Sequence, residues 1–263
     1  MSGEQHSHGH DVGERLYIHR HSTIHGLPAH VKLLSTFSFV LVVVLTPITD
    51  YEVFGVYALM LAALVAIAQI PLKSLALRTA IEIPFVLFAV LLPFVIPGPR
   101  VEFLGIGLSQ TGLEQAFGIL AKGTIGVVAT VILAASTPAH ELLRALERLK
   151  VPATIVQIAT FMLRYANVVT DEMSRMKVAR ESRAFSARGI KSWPVLGHSA
   201  GALFIRSYER GERVHLAMLS RGFDGTFFKV EPRRVSAVQW LQAASVPAFA
   251  LIVLLSALLI RGF

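Results

Sequence analysis

Five stretches of the chain are apolar for long enough to cross a bilayer, which takes about twenty residues at 1.5 Å rise each. They run over 33–48, 53–70, 81–96, 120–136 and 238–260. Polar or helix-breaking residues bound them: Lys32 before the first, Thr49-Asp50 after it, Pro71 and Lys73 after the second, and Pro97-Gly98-Pro99 after the third. Gly123 and Gly126 in the fourth are small enough to let a neighbouring helix approach closely. The segment between the fourth and fifth spans follows a different rule. Its apolar residues recur at helical spacing, through Ile155, Ile158, Met162, Tyr165, Val169, Met173 and Met176, and again through Phe204, Tyr208, Gly211, Val214 and Met218. Gly189, Trp193-Pro194 and Gly197 separate the two stripes, so two long amphipathic helices joined by a turn are expected.

This pattern predicts an all-α integral membrane protein of about five transmembrane helices, with long amphipathic helices between the fourth and fifth. Its parts are an arm over 1–32, a four-helix transmembrane region over 33–136, a polar helical region over 137–236 and a last transmembrane helix over 237–263. Composition agrees: 54% of residues are hydrophobic, 16% are charged and the mean hydropathy is +0.60, which is not the balance of a soluble globule.

Charge gives the orientation. The net charge of +8 and pI near 10.1 would fit a nucleic-acid binder, but such proteins rarely carry several spanning runs, and nucleic acid is not expected as a partner. Residues 137–234 hold 17 Lys and Arg against 9 Asp and Glu, whereas the rest of the chain is balanced. Short loops carry the same bias, with Lys73 and Arg78 after span two and Asp50 and Glu52 after span one. The positive-inside rule then predicts a cytoplasmic N-terminus and a cytoplasmic 137–236 region. No cleavable signal peptide is read in the first thirty residues.

Candidate chemistry is sparse. The absence of cysteine removes thiolate catalysis, thiolate ligation and disulfides. Gly197-His198-Ser199-Ala200-Gly201 fits the nucleophile elbow of serine hydrolases, which would make an intramembrane hydrolase using Ser199 the alternative of another class. The elbow needs a strand before it, and Ser192-Trp193-Pro194-Val195-Leu196 is too short for one, so no catalytic residue is assigned. Seven of the ten histidines, His6, His8, His10, His19, His21, His25 and His30, lie before residue 31. Imidazole suits divalent cobalt, nickel or zinc, but no ligand spacing fixes a geometry, so no metal ligand and no cofactor are assigned. Glu82 and Lys122 are the ionisable residues nearest the spans, both expected to reach an interface by snorkelling. There is no G-x-x-x-x-G-K-[ST], so ATP could be used only through another chain.

The most informative feature is a short repeat. Ala179-Arg180-Glu181-Ser182-Arg183-Ala184-Phe185 and Ala217-Met218-Leu219-Ser220-Arg221-Gly222-Phe223 share A-x-x-S-R-small-F, and each copy closes one of the two amphipathic helices. An arginine flanked by small residues presents a fork of donors with little bulk around it, suited to a carboxylate or main-chain carbonyls in a narrow groove. Contact with phospholipid headgroups or electrostatic capping of the helix ends would use the same charge. Arg188-Gly189 is a second candidate for the arginine of the first copy.

These residues resemble a family. The entry at Ile24-His25-Gly26-Leu27-Pro28-Ala29-His30-Val31-Lys32, the segment Thr137-Pro138 to Leu149-Lys150-Val151-Pro152, and Arg206-Ser207-Tyr208-Glu209-Arg210 running on to Gly225 are together similar to the transmembrane T component of energy-coupling factor (ECF) transporters, the CbiQ-type cobalt and nickel branch above all. The resemblance implies a multi-pass protein of the cell inner membrane and a non-catalytic transport subunit, in a system for cobalt or nickel ions or, alternatively, for a vitamin. It implies two ABC-type ATPase subunits as partners, together with a substrate-binding membrane subunit of the cobalt-binding type, room for a small accessory membrane subunit, and the lipid bilayer. Carried over by position, the ATPase-coupling residues would be Ser182, Arg183 and Ala184 with Ser220, Arg221 and Gly222.

Overall fold

The computed structural model describes residues 17, 22, 24–103, 106–185, 189, 192–225 and 235–261. The described residues are helical almost throughout: α1 (Ala29–Leu45), α2 (Tyr51–Ala68), α3 (Leu72–Thr79), a 3-10 turn (Ala80–Glu82), α4 (Ile83–Val95), α5 (Gln110–Ser136), α6 (Ala139–Arg148), α7 (Ala153–Glu181), α8 (Trp193–Leu219) and α9 (Ala237–Arg261). Among the described residues four helical stretches are long and apolar enough to cross a membrane, Tyr51–Ala68, Leu72–Val95, Gln110–Ser136 and Ala237–Ile260. The shorter Ala29–Leu45, at 17 residues, reaches the lower limit of a spanning helix. The protein is an integral membrane protein of the all-α class. Its helices fall into two compact units, α1–α6 with α9, and α7 with α8.

In the first unit α1, α2, α5 and α9 enclose a core that includes Phe39, Val43, Phe54, Tyr57, Ile132 and Ala250. Hydrogen bonds run across it where lipid offers none. The buried Tyr57 hydroxyl donates to the Ala250 carbonyl at 3.0 Å, and Ser35 Oγ donates to the Ala243 carbonyl at 2.6 Å. Large apolar side chains on α4, such as Phe85, Leu87 and Phe94, point outward instead, as a lipid-facing helix requires. α6 packs on α1. Lys32, itself buried, donates from Nζ to the Ser136 carbonyl at 2.8 Å and so holds the negative end of α5 against the start of α1.

Three sequence expectations change here. Lys73 and Arg78 belong to α3, so the third span begins nine residues earlier than the apolar run alone indicates. Glu82 consequently lies near the middle of Leu72–Val95 and does not snorkel: it is buried, and Thr124 Oγ1 of α5 donates to its Oε2 at 2.9 Å. Its Oε1 and Arg78 Nη1 are buried with no hydrogen-bond partner among the described residues. Lys122 lies within α5 and donates to the Val44 carbonyl at 2.7 Å. The close helix approach also moves: nothing lies within 4 Å of a Cβ placed at Gly126, whereas one at Gly112 would stand 2.7 Å from Pro93 Cα. Gly112 therefore lets the first turn of α5 lie against the end of α4. Between these helices β1 (Arg100–Phe103) and β2 (Ile106–Ser109) form an antiparallel hairpin with Arg100 opposite Ser109. Ser109 Oγ then accepts from the Gly112 amide at 3.2 Å, an N-cap for α5.

Candidate functional site

α7 and α8 run over 29 and 27 residues and end in the two copies of the repeat. The two ends have the same geometry. At the first, the Ala184 amide donates to the Glu181 carbonyl at 3.0 Å and the Phe185 amide to the Arg180 carbonyl at 3.2 Å. At the second, the Gly222 amide donates to Leu219 and the Phe223 amide to Met218, both at 3.0 Å. This nested pair of bonds is the Schellman C-cap, which requires a left-handed residue at its turn. Ala184 has φ +58° and Gly222 has φ +80°. Ser182 Oγ donates to the Ala179 carbonyl and Ser220 Oγ to the Ala217 carbonyl, each at 3.0 Å, satisfying a further carbonyl that the helix end leaves open.

The repeat is thus explained position by position. Serine closes on the alanine three residues before it, the small residue supplies the left-handed turn, and the amide of phenylalanine completes the cap. The arginine side chain is left over. Arg183 and Arg221 are exposed, and neither guanidinium makes a hydrogen bond or ion pair among the described residues. Each is held on a fixed turn with its guanidinium free. Arg188 lies outside the described residues.

The two ends face away from each other. Gln157, near the start of α7, donates from Nε2 to the Gly225 carbonyl beyond α8 at 2.9 Å, and Glu172 of α7 pairs with Arg206 of α8. Residue numbers rise on one helix as they fall on the other, so the helices are antiparallel. At 1.5 Å per residue, Arg183 stands roughly 35 Å from the end that carries Arg221. Two antiparallel helices of similar length with one shared C-terminal motif are related by an approximate two-fold.

Glu172 is the residue that sequence reasoning missed. Its Oε1 accepts from Arg206 and its Oε2 from Arg175 Nη2, the latter at 3.2 Å. Those guanidinium hydrogen bonds, Arg206's first, hold its carboxyl below the usual carboxylate value. The i,i+3 step to Arg175 was legible in the sequence, the pairing with Arg206 across 34 residues was not.

Ser199 lies inside α8 with its hydroxyl donating to the Val195 carbonyl at 2.9 Å, and His198 Nδ1 is 2.6 Å from the Pro194 carbonyl. Both are i to i−4 contacts of a helix, so the strand-to-helix elbow is absent at this site. His6, His8, His10, His19 and His21 lie outside the described residues. His25 Nδ1 meets Ser22 Oγ at 2.8 Å and His30 Nδ1 meets Arg148 Nη1 at 3.2 Å. Among the described residues no group of three His, Asp or Glu side chains could hold a metal.

Comparison with known proteins agrees with this architecture. The CbiQ family, described as cobalt transport proteins, matches residues 20–235. The energy-coupling factor transporter transmembrane protein EcfT of Limosilactobacillus fermentum is 25% identical over 257 residues, 90% of this chain and 92% of that one. The cobalt transport protein CbiQ of Rhodobacter capsulatus is 25% identical over 158 residues, 60% of this chain and 63% of its own. A fused cobalt transport protein CbiMQ of Methanocorpusculum labreanum, described as putative, is 26% identical over 216 residues, 78% of this chain and 35% of its own. A multi-pass helical body carrying two matched helix ends, with the family match covering most of its length, makes this chain a member of the CbiQ family, the non-catalytic transmembrane T component of an ECF transporter.

Proposed function

We propose that the chain couples two ABC-type ATPases to a cobalt- or nickel-binding membrane subunit, with Arg183 and Arg221 each entering one ATPase. The duplicated cap carries this reading: two identical helix ends at opposite tips of one hairpin suit two copies of one partner. In this account Ser182 and Ala184, and Ser220 and Gly222, hold the arginines in place and keep bulk away from them. The basic 137–234 region and the N-terminus face the cytoplasm of a cell whose inner membrane holds the spans, with lysines and arginines near lipid headgroups.

ATP binding would close the ATPases and carry the two helix ends with them, tilting the substrate-binding partner. The coupling demands that the ends be contacted differently in the open and closed states, since equal contacts would shift nothing. Cobalt is favoured by the family description and by the CbiQ and fused CbiMQ relatives. A vitamin importer is the second reading, left open by the EcfT relative, whose description names no substrate and which covers 90% of this chain. An accessory membrane subunit fits either system.

Coexpression with ABC-type ATPase and substrate-binding subunits tests both parts. Arg221→Ala and Arg183→Ala should each lower copurification of the ATPases, and the double substitution should abolish ATP-driven uptake of radioactive cobalt. Unchanged copurification and uptake in the double variant would sink the proposal. Uptake of a vitamin without cobalt uptake in the parent complex would select the second reading.

A further inference from the structure

The hairpin that carries the two arginines is held together in an unusual way. Helix pairs ordinarily interlock buried apolar side chains. Here Val156 is the buried residue of α7, and α8 has none among the described residues. A groove of about 710 Å³ opens between them instead, with Phe161, Met162, Tyr165 and Leu203 on its walls. Such a pair has no packed core to fix its crossing angle.

Polar links remain. Glu172 is the best placed of them: its side chain is 19% exposed, against 61% for Arg206 and 69% for Arg175, and both its oxygens accept from guanidinium groups. Arg175 belongs to the same helix and steadies the carboxylate, while Arg206 makes the crossing contact. The position along the helices matters as much as the bond. Eleven residues separate Glu172 from Arg183, and fifteen separate Arg206 from Arg221, giving lever arms of about 17 and 22 Å. A rotation of about 10° around this point moves the two arginines by about 3 and 4 Å on those arms.

We infer that Glu172 and Arg206 form the pivot of the hairpin, a pair of positioning residues that sets the spacing of Arg183 and Arg221 without touching either partner. The inference rests on the reading of the two helix ends as the ATPase contacts, but the pivot itself belongs to this chain alone. A charge pair suits a pivot because it fixes the crossing point where a packed seam would fix the whole interface, and the one other crossing bond described above, Gln157 to the Gly225 carbonyl, is a single neutral link at the tip. The flanking groove gives the arms room to swing.

The chain has no cysteine, so spin labels can be placed without background. Val178→Cys and Leu216→Cys are exposed positions near the two ends, at 63% and 58%. Pulsed dipolar distances are measured on the full chain in lipid nanodiscs, without ATPases, so the outcome is independent of whether the arginines dock there. The parent should give a single distance distribution whose width reports the swing about one fixed crossing point. Glu172→Ala should broaden or shift it by several ångströms at unchanged helicity, and the reversal E172R with R206E should narrow it again. An unchanged distribution in Glu172→Ala overturns the pivot, and so does a reversal that fails to restore the parent distance while helicity is intact.

Discussion

Replacing Gly222 isolates the cap geometry from everything else at the helix end. Its φ of +80° is one that L residues adopt only at a cost, and nothing lies within 4 Å of the Cβ a side chain would add, so a substitution there meets backbone strain and no clash. For alanine that strain is about 1 kcal/mol, which raises the opening of the last turn about fivefold. A β-branched valine should cost about 2 kcal/mol and raise opening about thirtyfold. Ala184, at φ +58°, already bears the strain that Gly222→Ala would introduce, so that variant should stay functional and Ala184→Gly should tighten the first end by up to about 1 kcal/mol. Hydrogen exchange followed by mass spectrometry on peptides across 216–225 and 178–185 reads these changes directly, because the amides at 222 and 223, and at 184 and 185, are the cap donors. Exchange at 222–223 that is unaltered in Gly222→Val would refute the left-handed cap and, with it, the account of why the repeat has its form.

Further outcomes follow from the membrane unit and from the hairpin. Thr124→Val strips the hydrogen bond from a buried Glu82 and should destabilise more than Glu82→Leu, with a coupling of about 1 kcal/mol in a double-mutant cycle followed by unfolding in detergent. Lys32→Ala should cost about 1–3 kcal/mol in the same assay, since it leaves the Ser136 carbonyl buried without its donor. Ser199→Ala should leave transport unchanged, because its hydroxyl serves only its own helix. Glu172 has a carboxyl pKa below its unfolded value, so its contribution is complete above the unfolded value and disappears as pH falls through the folded one. The label distance across the hairpin should therefore hold at neutral pH and loosen only as pH falls below the ordinary carboxylate range.

Much of this was legible because two periodicities do different work. Apolar runs of spanning length marked the membrane helices, and the 3.6-residue stripe marked α7 and α8, whose ends at Glu181 and Leu219 fall where the repeat begins its turn. The run alone placed the third span too late: Lys73, Ser74, Arg78 and Thr79 lower the hydropathy of α3, yet they continue the helix, and Glu82 is thereby carried to mid-span. The hairpin of β1 and β2 was masked by glycine and proline, which signal turns without saying how the strands between them pair. Glu172 was invisible for a different reason. Its partner is 34 residues away, and only the antiparallel return of the chain brings the charges together.

The most direct test of the central claim uses cysteine-directed photocrosslinkers at Ser182→Cys and Ser220→Cys, beside arginines left intact, in membranes that also contain the ATPases. The account predicts that each single variant attaches an ATPase, and that the double variant gives a species holding one copy of this chain and two ATPases. Adducts to lipid alone, or a double variant whose largest species holds one ATPase, would contradict it.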